Sequence, residues 1–482
     1  MARSGVFIDG SWTADGPVLE IFDPSDTRVH VDTVVSGTAD DLRDATQSAL
    51  AAEESWRNTT PEDRAGVLRA AAQLLRDRAN WIATAMVSEE GKTFKEARGE
   101  AVRAAGTLDY HADQALSMQD QVLLPIRSGA VTTVRRRPVG PVAVISPFNF
   151  PLLVPAWKIG PALAHGNTVV WKPSPLTPLT SINLMQLFDD AGLPRGVLNM
   201  VVASGEATAD GLIGTPGIKA VTFTGSTAAG RAVQARLAGL DTRVQLEMGG
   251  NGPAIVLAGV DVGQVASEIA RGAFASTGQR CTGIRRVIVV DQVEDFENAL
   301  VAAAEGWNVG PGMDPTSDIG PLVSAAAQKA VRMRVDRLRA AGCAVLTGGD
   351  PVTGEARKHG HYVHPCIVTG LDPTSALAGE EIFGPVVVVY RVESPAEAFR
   401  LANATSFGLS AAVFSSDASD AMAAADSLQF GTVNMNFAGS VAAHVPFLGW
   451  GDSGFGPAEQ GETAVEFFTR TQVVNVHGDD DG

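Results

Sequence analysis

Residues 139–173 decide the fold class, because they alternate between two kinds of segment: "VGPVAVIS" (139–146), "PAWKIGPALAHG" (155–166) and "NTVVWKP" (167–173). The first and third are short runs rich in valine, which are typical of buried strands. The second has the length and composition of a helix. The alternation continues in "LTSINLMQLFDDAG" (179–192), "VLNMVVA" (197–203) and "AVTFTGS" (220–226). Strands that alternate with helices predict an α/β fold with a doubly wound parallel sheet, covered on both faces.

A second alternation begins near "GPAIVLAGVD" (252–261) and runs to about residue 430. A chain of 482 residues is too long for one ordinary core, so we expect two α/β domains. We place the first in residues 1–119 and 138–248, and the second in residues 249–447. Residues 120–137 and 448–482 are expected to form a small β element and a C-terminal tail.

Local patterns refine this division of the chain. Helix-period patterning over residues 39–119 predicts two or three helices, with Pro61 at a helix start and Gly91 after a helix end. The segments "VTTVRRR" (131–137) and "QVVNV" (472–476) are predicted strands. The acidic residues that follow, up to 482, are expected to form a solvated tail.

The composition excludes several classes of function. Net charge is −17, which argues against a protein that binds nucleic acid or anionic membranes, since phosphates would be repelled. The three cysteines have no regular spacing, so they predict neither a disulfide framework nor a zinc site and fit a reducing compartment. No secretory signal is visible, and no apolar run reaches the roughly 18 residues of a membrane span. We expect a soluble cytoplasmic protein without a metal site, with His111 at the surface.

Cys281 lies in "GQRCTG" (278–283), among small and polar residues rather than the aliphatic residues that surround a core thiol. A free thiol needs help to become a thiolate at neutral pH, and Arg280 or the backbone N–H groups of a helix start could provide it. From position alone, a reactive and an inert cysteine are equally good interpretations. Cys343 and Cys366 lie in apolar stretches, which favours structural roles.

Two further residues have side chains suited to chemistry. Glu247 in "QLEMGGNGP" (245–253) directly precedes two glycines, so a general base at a strand end and a solvated loop carboxylate are both open. Asn149 in "ISPFNFP" (145–151) follows a buried strand and is flanked by aromatic residues and prolines. Its amide could donate to an oxyanion, although an Asx turn explains it as well.

Two glycine- or proline-rich turns could receive phosphate or ribose. "FTGSTAAG" (223–230) is a strand, a Gly-Ser turn and a helix start, which suits a phosphate but is a weak dinucleotide motif. "VVWKPSPLTP" (169–178) has Lys172 at a strand end, where the cation could reach a ribose or phosphate or could simply be solvated.

Taken in order, these segments closely resemble the aldehyde dehydrogenase superfamily over nearly the whole chain. The segments that carry the resemblance are "PFNFP", "PAWKIGPALAHGNTVVWKPS", "FTGST", "EMGGN", "GQRCT", "EEIFGPV" and "PFLGWGDSGFG". The resemblance implies that the first domain binds a dinucleotide, that the second is catalytic and that the small β element serves oligomerisation. It further implies a homodimer or homotetramer. The segments "NFAGSVAAHVPF" (436–447), "EQG" and "EFFT" favour branches that act on semialdehydes.

The resemblance implies a role for each candidate. Cys281 would attack an aldehyde carbon, Asn149 would hold the oxyanion, and Glu247 would activate the water that hydrolyses the thioester. Gly278 and Gly283 would leave backbone room for two substrates. The cofactor contacts that it implies fall on Ile145, Pro147, Phe148, Lys172, Gly225, Ser226, Gly230, Glu381 and Phe383. The expected substrate pocket comprises Phe150, Trp157, Arg280, Thr282, Phe437 and Phe447.

One departure bears on the cofactor. NAD-preferring members often have a glutamate three residues after the lysine of "WKPS", and this chain has Pro175 there. Without that carboxylate a 2′-phosphate is not repelled, and Lys172 and Ser174 could contact it. We therefore expect NADP to be accepted alongside NAD and infer a preference for NADP.

Two alternative functions stay open on the sequence. A CoA-acylating semialdehyde dehydrogenase would form the same thioester but lacks a carboxylate at the position of Glu247. A catalytically silent nicotinamide-binding structural protein would usually have lost the nucleophile or the base, and this chain retains both.

Overall fold

The computed structural model of the chain describes residues 3–13, 15–291, 293–352, 354 and 357–477. The predicted acidic tail, residues 478–482, lies outside the described residues. The α-helices of the described part are α1 Ala39–Asn58, α2 Pro61–Asp77, α3 Ala79–Glu90, α4 Phe94–Ser117, α5 Leu153–Ala164, α6 Pro178–Asp190, α7 Gly205–Gly211, α8 Thr227–Leu237, α9 Val262–Phe274, α10 Val293–Glu305, α11 Ala325–Ala340, α12 Pro395–Ala402, α13 Ala418–Ser427 and α14 Gly461–Phe468. Two 3₁₀ turns cover Ala275–Gly278 and Ala376–Gly379.

The strands of the described part are mostly short. They are β1 Arg3–Ser4, β2 Val6–Ile8, β3 Ser11–Trp12, β4 Val18–Asp23, β5 Asp26–Val35, β6 Gln121–Leu123, β7 Ala130–Pro138, β8 Val142–Ile145, β9 Val169–Lys172, β10 Leu198–Val201, β11 Ala220–Thr224, β12 Arg243–Glu247, β13 Gly252–Val256, β14 Ile284–Val290, β15 Ala344–Thr347, β16 Cys366–Thr369, β17 Val386–Val392, β18 Phe407–Gly408, β19 Ser410–Phe414, β20 Thr432–Met435, β21 Trp450–Gly451, β22 Gly454–Phe455 and β23 Thr469–His477.

The predicted α/β class is confirmed, with a first large sheet of strand order β22-β12-β11-β8-β9-β10-β2-β3. Its five central strands, β12 to β10 in this order, are parallel, and antiparallel strands flank them on both sides. Strands β8, β9 and β10 are buried at every residue, as expected for a sheet covered on both faces. The order reverses between β8 and β11, and ligands of open α/β sheets bind at such a point, beyond the carboxyl ends of the strands.

The second large sheet has the order β15-β16-β17-β14-β13-β19-β20, and all its neighbours are parallel except β15 and β16. Strand β12 of the first sheet ends at Glu247 and β13 of the second begins at Gly252. We propose residue 248 as the division between the two domains.

Smaller sheets complete the fold. The predicted strands at 131–137 and 472–476 lie in β7 and β23, which pair antiparallel along their whole length, with β6 on the other side of β7. Within the segment 448–482, Gly454–Phe455 instead joins the first large sheet. The C-terminal segment therefore contributes to a large sheet as well as to the small one. Strands β1, β5 and β4 form a further three-stranded sheet near the start of the chain, and β18 pairs with β21.

The helical region at 39–119 contains four helices rather than the two or three predicted, because α2 and α3 are separated only by the non-helical Arg78. Pro61 begins α2, and Gly91 ends α3 with a φ of 94°, as predicted. Capping boxes at Thr38 and Thr93 begin α1 and α4 by satisfying backbone N–H groups that a helix leaves free.

The helix pair α4 and α5 buries two histidines, which corrects the expectation of a surface position for His111. His111 is fully buried, and a Cβ on Gly160 would lie 2.9 Å from its Cδ2 atom, so α5 approaches α4 closely there. Burial lowers the pKa of His111 to about 4 and that of His165 to about 3. In the described part of the chain, neither ring nitrogen of His165 has a hydrogen-bond partner. Both rings are therefore neutral in the folded protein.

We expect these two histidines to make the fold sensitive to acid. Below their ordinary pKa of 6.5 the unfolded chain takes up protons that the folded chain refuses until about pH 4 to 3. The free energy of unfolding should therefore fall as pH falls from 7, by at most about 2 kcal/mol per histidine at pH 5. Urea unfolding at pH 7 and pH 5 measures this loss.

The variant His165→Asn should show a smaller loss between the two pH values than the unchanged protein. His364→Asn is the matched control, because His364 is exposed. An equal pH dependence in His165→Asn and the unchanged protein would contradict the account.

Candidate active site

A cavity of about 1070 Å³ opens beyond the carboxyl ends of β8, β9, β11 and β12 and faces the 3₁₀ turn that precedes Cys281. It is lined by the three candidates for chemistry, Asn149, Glu247 and Cys281. It also contains most of the residues expected to contact a cofactor or substrate: Ile145, Pro147, Phe148, Phe150, Trp157, Lys172, Ser174, Gly225, Ser226, Arg280, Thr282, Glu381, Phe383 and Phe447. The fold thus brings together segments that are far apart in sequence.

The loop that presents Cys281 has an unusual backbone. Ser276 and Thr277 have φ angles of 53° and 55°, in the left-handed region that residues other than glycine seldom adopt. The Ser276 N–H donates to Glu96 Oε1 at 2.7 Å, and Thr277 Oγ1 donates to the Gly320 carbonyl at 3.0 Å. These bonds hold a conformation that the two side chains would otherwise disfavour.

The two glycines beside Cys281 serve packing, which corrects the expectation that they leave room for substrates. A Cβ on Gly278 would lie 2.3 Å from the carbonyl of Gly384, and one on Gly283 would lie 2.5 Å from an Arg285 Nη atom. Neither glycine lines the cavity.

The Cys281 thiol is partly buried in the wall of the cavity. Burial raises its pKa to about 12, the carboxylates of Glu247 and Glu381 add to the rise, and Arg280 opposes it. The resting thiol is therefore protonated at neutral pH, and a proton must leave before the sulfur can attack. Cys343 and Cys366 are buried away from the cavity, in line with structural roles.

Hydrogen bonds hold both the side chain and the backbone of Asn149. Its side-chain Nδ2 donates to the Gln279 carbonyl at 2.8 Å, which ties it to the loop of Cys281. Its backbone carbonyl accepts from Lys92 Nζ at 2.8 Å. The amide nitrogen has a second N–H, which leaves one donor for a ligand in the cavity.

Glu247 ends β12 and is 4% exposed, and its Oε2 atom has no hydrogen-bond partner in the described part of the chain. Burial raises the pKa of this carboxyl well above its usual range, the neighbouring Glu459 adds to the rise, and Lys158 opposes it. Lys158 forms a buried ion pair with Glu459 and donates to Thr222 Oγ1 at 2.8 Å. The base candidate thus lies beside a fixed pair of opposite charges.

The sequence analysis did not identify this ion pair or a second buried pair, Lys92 with Glu100, whose lysine donates to the Asn149 carbonyl. Lys92 Nζ contacts the buried Glu100 at 2.6 Å and lies 4.7 Å from the centre of the Phe150 ring. A buried role for Lys158 could have been predicted, because it is the one charged residue in helix α5, which is otherwise apolar and buried throughout. Lys92 gave a weaker signal, since "EEGKTF" reads as a polar helix end.

The expected cofactor region fits a nucleotide at several points. Lys172 is 8% exposed, burial lowers its pKa to about 8, and its amine has no partner among the described residues. Ser226 caps helix α8, whose N-terminus faces the cavity next to Gly225. A buried, unpaired amine and a helix N-terminus are suitable partners for ribose hydroxyls and phosphate.

Glu381 Oε1 accepts from the Gly250 N–H at 2.9 Å, and a Cβ on Gly249 would lie 2.3 Å from its carboxylate. The Phe148 and Phe383 rings face each other edge to face, with centres 6.0 Å apart. Gly230 does not line the cavity. A Cβ on it would lie 2.4 Å from Met248 Sδ, so this glycine allows helix α8 to pack closely.

The expected substrate pocket needs one correction, at Phe437. This residue is 41% exposed and does not line the cavity, because the chain turns at Asn436, which has a φ of 60°. Residues 439–441 line the cavity instead. The apolar wall includes Trp157 and Phe447, with ring centres 5.3 Å apart. The structure also brings Arg103 of α4 into the wall, a residue that the sequence did not single out.

The described part of the chain has neither a cluster of metal ligands nor a membrane-spanning helix. No group of three or more His, Cys, Asp or Glu side chains there is arranged to hold a metal ion. Nor does any helix in it combine the length and apolar character needed to cross a membrane.

Comparisons with known proteins agree with this geometry. A family model described as the aldehyde dehydrogenase family matches residues 12–474. The alpha-ketoglutarate semialdehyde dehydrogenase of Haloferax volcanii is 36% identical over 473 residues, covering 97% of this chain and 98% of the relative. The alpha-ketoglutaric semialdehyde dehydrogenase of Bacillus subtilis is 35% identical over 474 residues, with 98% and 97% covered.

Among solved structures, betaine aldehyde dehydrogenase from Staphylococcus aureus in complex with NAD⁺ superposes with a TM-score of 0.96 at 30% identity. The match covers 100% of this chain and 96% of that chain. The chain therefore belongs to the aldehyde dehydrogenase family and is an NAD(P)-dependent enzyme that oxidises aldehydes.

Proposed function

We propose that Cys281 is the nucleophile of this enzyme, that Asn149 holds the oxyanion and that Glu247 is the general base. One observation carries the proposal: these residues, from three distant segments, line one cavity. A nucleophile, an oxyanion donor and a base in one site are what catalysis through an acyl-enzyme requires.

In the first step Glu247 takes the proton of the Cys281 thiol and later releases it to solvent. Sγ bonds to the aldehyde carbon, which moves an electron pair onto the carbonyl oxygen. The free N–H of the Asn149 amide and the Cys281 backbone N–H donate to this oxyanion. Re-formation of the carbonyl expels a hydride, for which the nicotinamide ring of the bound dinucleotide supplies the acceptor, and leaves a thioester on Cys281.

In the second step Glu247 removes a proton from water, and the water oxygen attacks the thioester carbon. The C–S bond breaks, the carboxylic acid leaves and the sulfur returns as thiolate. Burial strengthens Glu247 as a base because it raises the pKa of the carboxyl, and Lys158 limits that rise.

The presence of Glu247 supports hydrolysis rather than acyl transfer to CoA. A carboxylate that faces the cavity can activate water, and the acylating alternative would have no use for it. The retention of both nucleophile and base in the cavity likewise disfavours a silent structural protein.

We infer that NADP is accepted and preferred as cofactor. Lys172 and Ser174 line the cavity, and the next residue, Pro175, stands in place of a carboxylate. A 2′-phosphate would meet an unpaired cation there and no negative charge.

We propose a semialdehyde as the substrate. The relatives from Haloferax volcanii and Bacillus subtilis are named for α-ketoglutarate semialdehyde, which has an aldehyde at one end and a carboxylate at the other. The apolar wall of Leu153, Trp157 and Phe447 suits the carbon chain between two polar ends.

We propose that the enzyme is a homodimer or homotetramer assembled through the sheet of β6, β7 and β23. This sheet and the loop after β6 expose large apolar side chains that a monomer would leave in water: Val122, Leu123, Leu124, Ile126, Val131, Val473 and Val476. Strand β23 is also an edge of nine residues, and such edges pair readily with another chain.

We propose a cytoplasmic location for the enzyme. The described cysteines, Cys281, Cys343 and Cys366, are all free thiols, which suits a reducing compartment.

Replacing the nucleophile and the base should separate the two steps of the reaction. Cys281→Ala should bind cofactor but form neither thioester nor reduced nicotinamide. Glu247→Gln should release one equivalent of reduced cofactor in a slower burst and then stall, because it neither accepts the thiol proton nor activates water. Stopped-flow absorbance of reduced nicotinamide measures both.

Cys343→Ala is the matched control, because this thiol lies outside the cavity, and it should keep steady turnover. Turnover by Cys281→Ala would show that Cys281 is not the nucleophile. Steady turnover of Glu247→Gln at the rate of the unchanged enzyme would remove the base assignment.

Pro175→Glu should shift the cofactor preference from NADP toward NAD. A carboxylate beside the 2′-phosphate repels it and can bind the free hydroxyls of NAD, so the ratio of kcat/KM for NADP to that for NAD should fall roughly 10-fold or more. Pro175→Gln is the uncharged control and should change the ratio much less. An unchanged ratio in Pro175→Glu would mean that another loop sets the preference.

Charges on the edge strand should prevent assembly. Val473→Lys combined with Val476→Lys should convert the oligomer to a smaller species in size-exclusion chromatography with light scattering. Residues three apart on a strand lie on opposite faces of the sheet, so one lysine would be desolvated whichever face meets the partner. Met422→Lys is the control, since Met422 is 66% exposed on a different element, α13. An unchanged mass for the double variant would place the interface elsewhere.

A further inference from the structure

Two adjacent arginines, Arg285 and Arg286, lie inside a buried strand of the second sheet. Strand β14 runs from Ile284 to Val290, and every residue in it is buried. Arg285 is 2% exposed and does not line the cavity. Burying a guanidinium is costly unless its N–H groups find acceptors. The partners of Arg285 therefore indicate what this buried charge does.

The guanidinium of Arg285 makes four hydrogen bonds from its two terminal nitrogens, which together carry four N–H groups. Nη1 donates to the carbonyl of Gly384 at 3.0 Å and to that of Ala273 at 3.4 Å. Nη2 donates to the carbonyl of Arg280 at 3.0 Å and to that of Gly278. Within the described part of the chain, each hydrogen bond from this guanidinium thus ends on a main-chain oxygen.

These acceptors lie mainly in two loops that the sheet brings together. The Cys281 loop, residues 275–283, leads into β14, and the Glu381 loop, residues 380–385, leads into β17. Strands β14 and β17 are parallel neighbours. Because both loops precede their strands, they lie at the same end of the second sheet, and both contribute residues to the cavity wall.

Arg285 connects the two loops through one rigid group. The acceptors of its Nη2 atom, Gly278 and Arg280, belong to the Cys281 loop, whereas Gly384 belongs to the Glu381 loop. A guanidinium is planar, and its terminal N–H groups are fixed relative to one another. One loop therefore cannot shift relative to the other without breaking hydrogen bonds to a buried charge.

The charge of Arg285 persists in this buried position. Burial lowers the pKa of Arg285 to about 10, and the neighbouring Glu381 opposes the fall. The guanidinium is therefore charged at neutral pH. Charge-assisted hydrogen bonds are stronger than neutral ones, so the four carbonyls are held more firmly than a neutral side chain would hold them.

We propose that Arg285 is a positioning residue, which holds the Cys281 loop and the Glu381 loop at a fixed separation and so sets the distance between the nucleophile and the nicotinamide. The proposal rests on the proposed role of Cys281 and adds a residue that lines neither the substrate pocket nor the cofactor site. The Cys281 N–H, the second donor to the oxyanion, directly follows an acceptor of Arg285. Reactions of this kind depend steeply on geometry, and a misplacement of about 1 Å costs roughly 100-fold in rate.

Arg285→Lys tests the proposal, because lysine keeps the charge but carries its three N–H groups on one nitrogen and cannot replace the fork. With enzyme and NADP⁺ in excess over 4-oxobutanoate, stopped-flow absorbance of reduced nicotinamide measures the rate constant of a single turnover. This rate constant should fall roughly 10- to 100-fold in Arg285→Lys. A loss of folded molecules alone would leave it unchanged, since the folded enzyme stays in excess.

Arg64→Lys is the matched control. Arg64 is also buried, donates to the backbone carbonyls of Thr59 and Ala164, and lies in α2 outside the cavity. This variant should lose stability, while its single-turnover rate constant stays within about twofold of that of the unchanged enzyme. An unchanged rate constant in Arg285→Lys, or an equal fall in Arg64→Lys, would overturn the proposal.

Gly283→Ala disturbs the same contact without removing the arginine. A Cβ on Gly283 would lie 2.5 Å from an Arg285 Nη atom, so the guanidinium must move from its acceptors. The single-turnover rate constant should fall in this variant too. Gly283→Ala combined with Arg285→Lys should be no slower than Arg285→Lys, because the fork is already absent. An unchanged rate constant in Gly283→Ala would contradict the proposal even if Arg285→Lys did not fold.

Hydrogen exchange followed by mass spectrometry gives a second measurement, which needs no turnover. The Gly283 N–H donates to the Arg280 carbonyl at 3.0 Å, and the Val386 N–H donates to the Gly384 carbonyl at 2.8 Å. These two carbonyls also accept from Arg285. In Arg285→Lys both amides should exchange roughly 10-fold faster or more, beyond any change elsewhere in the chain.

Unchanged exchange in either loop would overturn the proposal. If the unchanged enzyme formed no reduced nicotinamide from 4-oxobutanoate, the proposed semialdehyde substrate would fail. The exchange measurement would still decide whether Arg285 holds the two loops.

Discussion

The hydrogen bond from the Ser276 N–H to Glu96 is the contact on which the site depends. Glu96 belongs to helix α4, which packs against helices α2 and α5, and its other oxygen closes the capping box with Thr93. Ser276 begins two successive left-handed residues, and each costs roughly 1–3 kcal/mol. One carboxylate therefore begins a helix and stabilises the strained turn that presents Cys281. Through it, the loop that carries the sulfur is tied to helix α4 and not only to strand β14, which follows the loop.

Buried charge supports this arrangement from behind. Lys92 with Glu100 lies under Asn149, and Lys158 with Glu459 lies beside Glu247. Replacing a buried ion pair by apolar groups is often harmless, but removing one partner costs roughly 3–5 kcal/mol because the other charge is stranded. The contribution of these ion pairs therefore lies in where they place charge beside Asn149 and Glu247, and not in added stability. Lys92 donates to the Asn149 carbonyl, whereas Lys158 and Glu459 act on Glu247 through their charges.

Much of the fold was predictable, because parallel strands covered on both faces leave a strong signal. "VAVI" at β8 and "VVWK" at β9 are apolar at nearly every residue, so their identity does not depend on tertiary context. The residues at strand ends, Lys172 and Glu247, were predicted for the same reason. The helix boundaries at Pro61 and Gly91 were predicted correctly, because proline is favoured at the start of a helix and glycine just after its end.

The rest depends on long-range contacts that a local pattern does not encode. Ser276 and Thr277 are ordinary residues, and nothing in "ASTGQRC" indicates that Glu96, 180 positions earlier, holds them left-handed. Arg103 looks like a solvated helix residue until α4 is placed against the loop of Cys281. The prediction that Phe437 lines the substrate pocket was wrong. An aromatic residue in this segment suited a pocket, but a turn at Asn436 directs the side chain outward.

The charge of the cavity shows why net charge is a poor guide to a substrate. A chain at −17 repels anions at long range, but beyond a Debye length of about 10 Å at ordinary salt that field is largely screened. Within the cavity the lining side chains act over distances shorter than this length, so they set the local potential more than the net charge does.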